Sequence, residues 1–173
     1  NLLRFSPGGD ILAASDGNQA ALYRASDGQQ LRQLTGHNSG LSGLAFSPDG
    51  ATLITADAGT IQNHQSISFT IRRWRVTDGA LLATIKPPGE PGHINPQFSA
   101  DGSLIMSDNY GNRPTLWRFE GDTLTMLAEL PHSFGRALSP ANDEVLTTNG
   151  DGTLQRWRAT GGSLLATPGQ FPE

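Results

Sequence analysis

The stretch LTGHNSGLSGLAFSPDG, residues 34–50, decides how this chain is read. It joins Gly36-His37 to Phe46-Ser47-Pro48-Asp49-Gly50. Histidine, serine and aspartate together suggest a hydrolase, and histidine also binds metals. The same residue types also end strands and build tight turns. Whether the stretch is chemistry or punctuation depends on whether it recurs.

It recurs. Phe46 has counterparts at Phe5, Phe98 and Leu138, each followed by a turn cluster: SPGGD, SPDG, SADG and SPAND. A second series is Tyr23, Trp74, Trp117 and Trp157. Both series repeat at a period of about 40 residues, and the second copy carries an insertion of about ten. Four positions after the Phe or Leu stand Gly9, Gly50, Gly102 and Asn142. These residue types tolerate positive φ, so a positive φ is expected at each of the four. Seven positions after stand Leu12, Leu53, Ile105 and Val145, and nine after stand Ala14, Thr55, Ser107 and Thr147. No segment has a helical period. Each unit reads as strand, tight turn, strand, loop, strand, turn, strand.

A 40-residue unit of four short strands is the signature of a propeller blade. With Gly36-His37, Phe46–Gly50 and NGDGTLQRW at 149–157, the chain resembles the WD-repeat β-propeller family. The expected fold class is all-β, with four-stranded antiparallel blades at about 1–35, 36–88, 89–130 and 131–173. The chain opens in a first strand, NLLRFS, and closes on an outermost one, GSLLATPG, leaving no spare strand to lock a ring. About four blades are therefore expected to be part of a larger or incomplete propeller. Further blades or another subunit would complete it.

The resemblance also implies a hydrogen-bonded His, Ser/Thr, Asp and Trp inside a blade. Carried over, the second copy supplies His37, Thr55 and Trp74, with Asp57 as its acidic member. The fourth supplies Thr147, Asp151 and Trp157. On this reading the opening stretch is structural: His37 orients a loop, and Asp49-Gly50 turns a hairpin. The residue after each Tyr or Trp is Arg (Arg24, Arg75, Arg118, Arg158), where the family commonly has Asp.

No catalytic residue, cofactor or metal site is expected. With no cysteine, thiol catalysis and cysteine zinc sites are excluded. No nucleophile elbow and no phosphate loop occurs. His37, His64, His93 and His132 lie far apart in sequence. TTNGDG at 147–152 is similar to the start of a calcium loop, but its twelfth position is Arg158, where a bidentate Glu is needed. A net charge of −4 argues against nucleic acid, and no apolar run approaches a membrane helix.

The expected function is a non-catalytic protein–protein interaction scaffold. The alternative is a propeller serving an enzyme assembly, as a gating cap or as an accessory to a catalytic domain elsewhere. The insertion near AGTIQNHQSIS, 58–68, falls between the second and third strands of its blade. Its alternation predicts a protruding hairpin. Gln62, Asn63, His64 and Gln65, with Asn109, Tyr110 and Arg113 from the next blade, form the expected partner-binding patch.

Overall fold

A computed structural model describes residues 2–62, 65–67, 69–88, 94–108, 113–131, 135–139, 141, 143–149, 151–160 and 162–170. Eighteen strands and no helix appear among them. The first blade holds β1 (Leu3–Phe5), β2 (Ile11–Asp16), β3 (Gln19–Arg24) and β4 (Gln30–Leu34). The second holds β5 (Leu41–Phe46), β6 (Thr52–Asp57), β9 (Ile71–Arg75) and β10 (Leu81–Ile85). Between β6 and β9 a separate ribbon pairs β7 (Thr60–Gln62) with β8 (Gln65–Ile67). The third blade holds β11 (Ile94–Phe98), β12 (Leu104–Asp108), β13 (Thr115–Glu120) and β14 (Thr123–Glu129). The fourth holds β15 (Gly135–Leu138), β16 (Glu144–Thr148), β17 (Thr153–Arg158) and β18 (Leu164–Gln170). Each blade is a four-stranded antiparallel meander, as the repeat predicts.

The turns explain why the strands reverse where they do. The N–H groups of Gly9, Gly50 and Gly102 donate to the carbonyls of Ser6, Ser47 and Ser99. Their φ values of 76°, 69° and 73° favour glycine over any residue with a Cβ. Asn142 lies outside the described residues. The serine before each turn adds a bond that the repeat alone does not reveal. Ser6, Ser47, Ser99 and Ser139 each accept the N–H of the residue opening the next strand: Ile11, Thr52, Leu104 and Glu144. Each also donates to a turn aspartate: Asp10, Asp49, Asp101 or Asp143.

Burial follows from how the blades stack. The row Phe46–Leu53–Trp74 of the second blade packs on Ala13, Leu22 and Leu34 of the first. Phe98, Ile105 and Trp117 of the third pack with Ile54, Ile71 and Ile85 of the second. Leu138, Val145 and Trp157 of the fourth pack with Leu104, Met106 and Leu116 of the third. First strands lie beside one another, β1 with β5 and β5 with β11, while the fourth strands face outward. No hydrophobic cluster joins the fourth blade to the first among the described residues. The four blades therefore form an open arc. β6 is buried on both faces because a blade lies on either side of it.

Candidate functional site

The second blade holds a buried polar chain. The Trp74 indole N–H donates to Thr55 Oγ1 at 2.9 Å. Thr55 Oγ1 lies 2.6 Å from His37 Nε2, and His37 Nδ1 lies 3.0 Å from Asp57 Oδ2. The Asp57 carboxylate only accepts, so the ring proton sits on Nδ1 and Nε2 accepts from the Thr55 hydroxyl. The other Asp57 oxygen accepts the N–H of Thr70 at 2.8 Å. Every polar hydrogen in the chain thus has an acceptor. Asp57 closes the start of the β6–β9 connection, and His37 ties the 35–40 loop to the same strand.

Hydroxyl, imidazole and carboxylate in sequence have the ingredients of a nucleophilic triad, but the geometry opposes one. Thr55 is wholly buried and His37 is 4% exposed. The hydroxyl is engaged by the indole on one side and the imidazole on the other. No substrate carbonyl can approach it, so the arrangement does structural work.

In the fourth blade Trp157 Nε1 donates to Thr147 Oγ1 at 2.8 Å. Asp151 does not join them. It is exposed, and its carboxylate accepts the Thr153 N–H at 2.9 Å within the β16–β17 turn. Asp57 stands two residues after Thr55, and the residue two after Thr147 is Asn149. The register position of Asp57 in the fourth blade thus holds an amide, and Thr147 and Trp157 pair without the acidic member expected at Asp151. The sequence reading also passed over Ser107, whose hydroxyl accepts the Trp117 indole N–H at 2.8 Å. The signal was present, since Ser107 occupies the register position of Thr55 and Thr147.

The arginines after Tyr23, Trp74 and Trp117 pair within their own blades. Arg24 bonds Asp27 and Arg75 bonds Asp78, both at 2.8 Å, in exposed turns. The Asp27 carboxyl is held below its ordinary range by the Gln29 N–H and then by Arg24. Asp78 is lowered likewise by the Ala80 N–H and then by Arg75. At Arg24 and Arg75 this geometry makes turn locks.

The β7–β8 ribbon stands on the same end of the blade as the 35–40 loop, as antiparallel pairing requires. The base of the ribbon is tied down: Ala58 N–H donates to the Gly40 carbonyl, and Asn95 N–H donates to the Ala58 carbonyl. Gln62 and Gln65 are backbone partners in the register of the ribbon. Asn63, His64, Asn109 and Tyr110 lie outside the described residues. Arg113 is exposed. Among the described residues no group of three His, Asp or Glu is placed to hold a metal ion. No helix among them is long and apolar enough to cross a membrane.

Known proteins share this plan. The family described as WD domain, G-beta repeat, matches residues 28–63. An uncharacterised WD repeat-containing protein of Synechocystis sp. is 32% identical over 109 residues, covering 63% of this chain and 29% of that protein. A ciliary WD repeat-containing protein of Euplotoides octocarinatus is 29% identical, covering 90% of this chain and 25% of its own length. Protein FIZZY-RELATED 3 of Arabidopsis thaliana is 24% identical over 92% of this chain and 32% of its own. The chain thus spans a quarter to a third of these relatives. The β-propeller domain of Myceliophteria thermophila Cps50 (Swd1) superposes with a TM-score of 0.72 at 14% identity, over 99% of this chain and 55% of that one. Repeat, blade topology and relatives agree: residues 28–63 match a WD repeat, and the chain has the blades of a β-propeller and is similar to WD-repeat proteins.

Proposed function

We propose that the chain is a non-catalytic scaffold that recruits a protein partner on the end of the arc bearing the β7–β8 ribbon. The observation that carries this is the ribbon itself, an addition that the sister blades do not show among the described residues and that their meander does not need. Its base is fixed by backbone bonds to the 35–40 loop and to the third blade. A ribbon held in place loses little conformational freedom on binding, which favours affinity. The sequence between 60 and 67 is polar and lacks an acidic or basic cluster, so it suits hydrogen bonding better than charge steering. Propellers of this family typically present loops from a rigid body, and function resides on such loops. The partner patch comprises residues 58–68 with Asn109, Tyr110 and Arg113.

Shortening 58–68 to the length of its counterparts tests the reading. Folding should be nearly intact, since loop length costs little. Capture of natural partners should fall. A shortened protein that captures the same partners as well as the parent would make the ribbon decoration.

A further inference from the structure

One position of the repeat breaks step at an internal junction. The residues before Tyr23, Trp74 and Trp117 lie on the far faces of their blades, toward the next blade. In the first and third blades they are Leu22 and Leu116, paired with Ala13 and Met106 on the neighbouring strand. All four are wholly buried, in the clusters that join the first blade to the second and the third to the fourth. In the second blade the position holds Arg73, paired with Ile54. An arginine there costs stability, because packing strips water from its charge and from its N–H donors.

A hollow of about 230 Å³ lies beside this arginine, between the second and third blades, at the end bearing the β5–β6 and β11–β12 turns. Pro48, Ile54 and Phe119 give it apolar walls, and Asp101, Gly102 and Ser103 belong to its lining. Arg73 lines it as well. Its Nη2 bonds Asp122 of the third blade, 2.9 Å from Oδ1 and 3.1 Å from Oδ2. Its Nε is buried and has no hydrogen-bond partner. A guanidinium carries five N–H donors in a fixed fork, so Arg73 keeps bonding capacity that the fold does not use.

The neighbouring charges narrow what can accept from it. Asp122 and Asp101 place two carboxylates around one guanidinium. An anion would be drawn by Arg73 and repelled by both aspartates. A cation would meet Arg73 itself, and Asp101 Oδ1 is already engaged by the Ser99 and Ser103 hydroxyls and the Ser103 N–H. An uncharged acceptor such as a peptide carbonyl gains from the arginine without either penalty.

We propose that this hollow binds an aliphatic side chain of an extended partner segment, with the adjacent backbone carbonyl accepting from the Arg73 guanidinium. The apolar walls take the side chain and the arginine takes the main chain, the usual division of labour in a ligand pocket. The hollow lies at the opposite end of the blades from the β7–β8 ribbon, so it stands or falls apart from the ribbon patch.

The probe is N-acetyl-leucine methylamide, titrated into the isotope-labelled chain and followed by amide chemical shifts. Shifts should cluster at Ser47, Ile54, Gly102 and Gly121 and saturate with a dissociation constant on the order of 1 mM, reasonable for so small a ligand. N-acetyl-leucine with a free carboxylate, and butylammonium, should each bind several-fold more weakly. Arg73→Leu restores the residue of the sister junctions. It should weaken the probe by roughly tenfold or more and raise the unfolding midpoint by about 2–4 °C, so that lost binding is not lost folding. Absence of clustered shifts with the methylamide would overturn the proposal. So would carboxylate or ammonium binding as tight as the methylamide, which would give the hollow to an ionic ligand. Undiminished binding in Arg73→Leu, or a lowered midpoint, would also overturn it.

Discussion

The first and second blades share one strand plan and differ in what holds them. In the second, Phe46, Leu53 and Trp74 are buried, and Trp74 enters the chain through Thr55 and His37 to Asp57. In the first, the corresponding residues are Phe5, Leu12 and Tyr23, with Ala14 where Thr55 stands. Ala14 has no hydroxyl to accept from an aromatic partner. β1 is exposed along its whole length, while β5 is largely buried. The first blade is covered on one face, by the second blade, while the second is covered on both and carries a hydroxyl that ties its tryptophan into the polar chain.

Truncating the aromatic position breaks the comparison most sharply. Trp74→Ala opens a cavity at the first junction and should cost about 3–5 kcal/mol. Tyr23→Ala, on the half-buried outer face of the first blade, should cost well under half of that. Chemical denaturation of both variants beside the parent measures the difference, and equal losses would remove the contrast between the blades.

Removing one hydroxyl has a smaller effect. Thr55→Val keeps the shape but leaves the Trp74 N–H without an acceptor and His37 Nε2 without a donor. Each buried unpaired group costs about 1–3 kcal/mol. Ala14→Val in the first blade removes no hydrogen bond and should stay within about 1 kcal/mol of the parent. Unfolding midpoints of the two variants give the comparison directly.

Acid should distinguish turns from junctions by the smallest margin. The Asp49 carboxyl is lowered below its ordinary value of 3.8, first by the Ser47 hydroxyl and then by the Ala51 N–H. A group lowered on folding stabilises the fold above its unfolded value, and the gain is lost as pH falls through the folded one. Stability from Asp49, Asp27 and Asp78 is thus present at neutral pH and fades below the ordinary aspartate range. Asp49→Asn should flatten that part of the pH profile slightly, and an unchanged profile would remove Asp49 from the account.

Much of this was legible because the repeat keeps its register. Phe, turn glycine, hydroxyl and Trp recur at fixed offsets, so four meanders could be read before any coordinate was known. The alternation in GTIQ and SISFTIRRW likewise marked the ribbon. Other features were not legible, for identifiable reasons. Asp151 sits in a turn rich in Asn, Asp and Gly, where composition cannot tell a network member from a turn cap. The bridging role of Ser6, Ser47, Ser99 and Ser139 depends on hydroxyl direction, which a string of letters does not carry. Gly43 looks like an ordinary strand glycine, yet a Cβ there would lie 2.6 Å from the Phe98 ring. That contact joins residues on different blades, and nothing local to either one announces it.

The central claim is that each blade is stabilised chiefly by the blade before it. Amide hydrogen exchange, strand by strand, tests this most directly. Protection follows burial and local stability. The amides of β6 and β12, between covered faces, should exchange slowest, and those of β2, the corresponding strand of the first blade, markedly faster. Equal protection of β2, β6 and β12 would contradict the account.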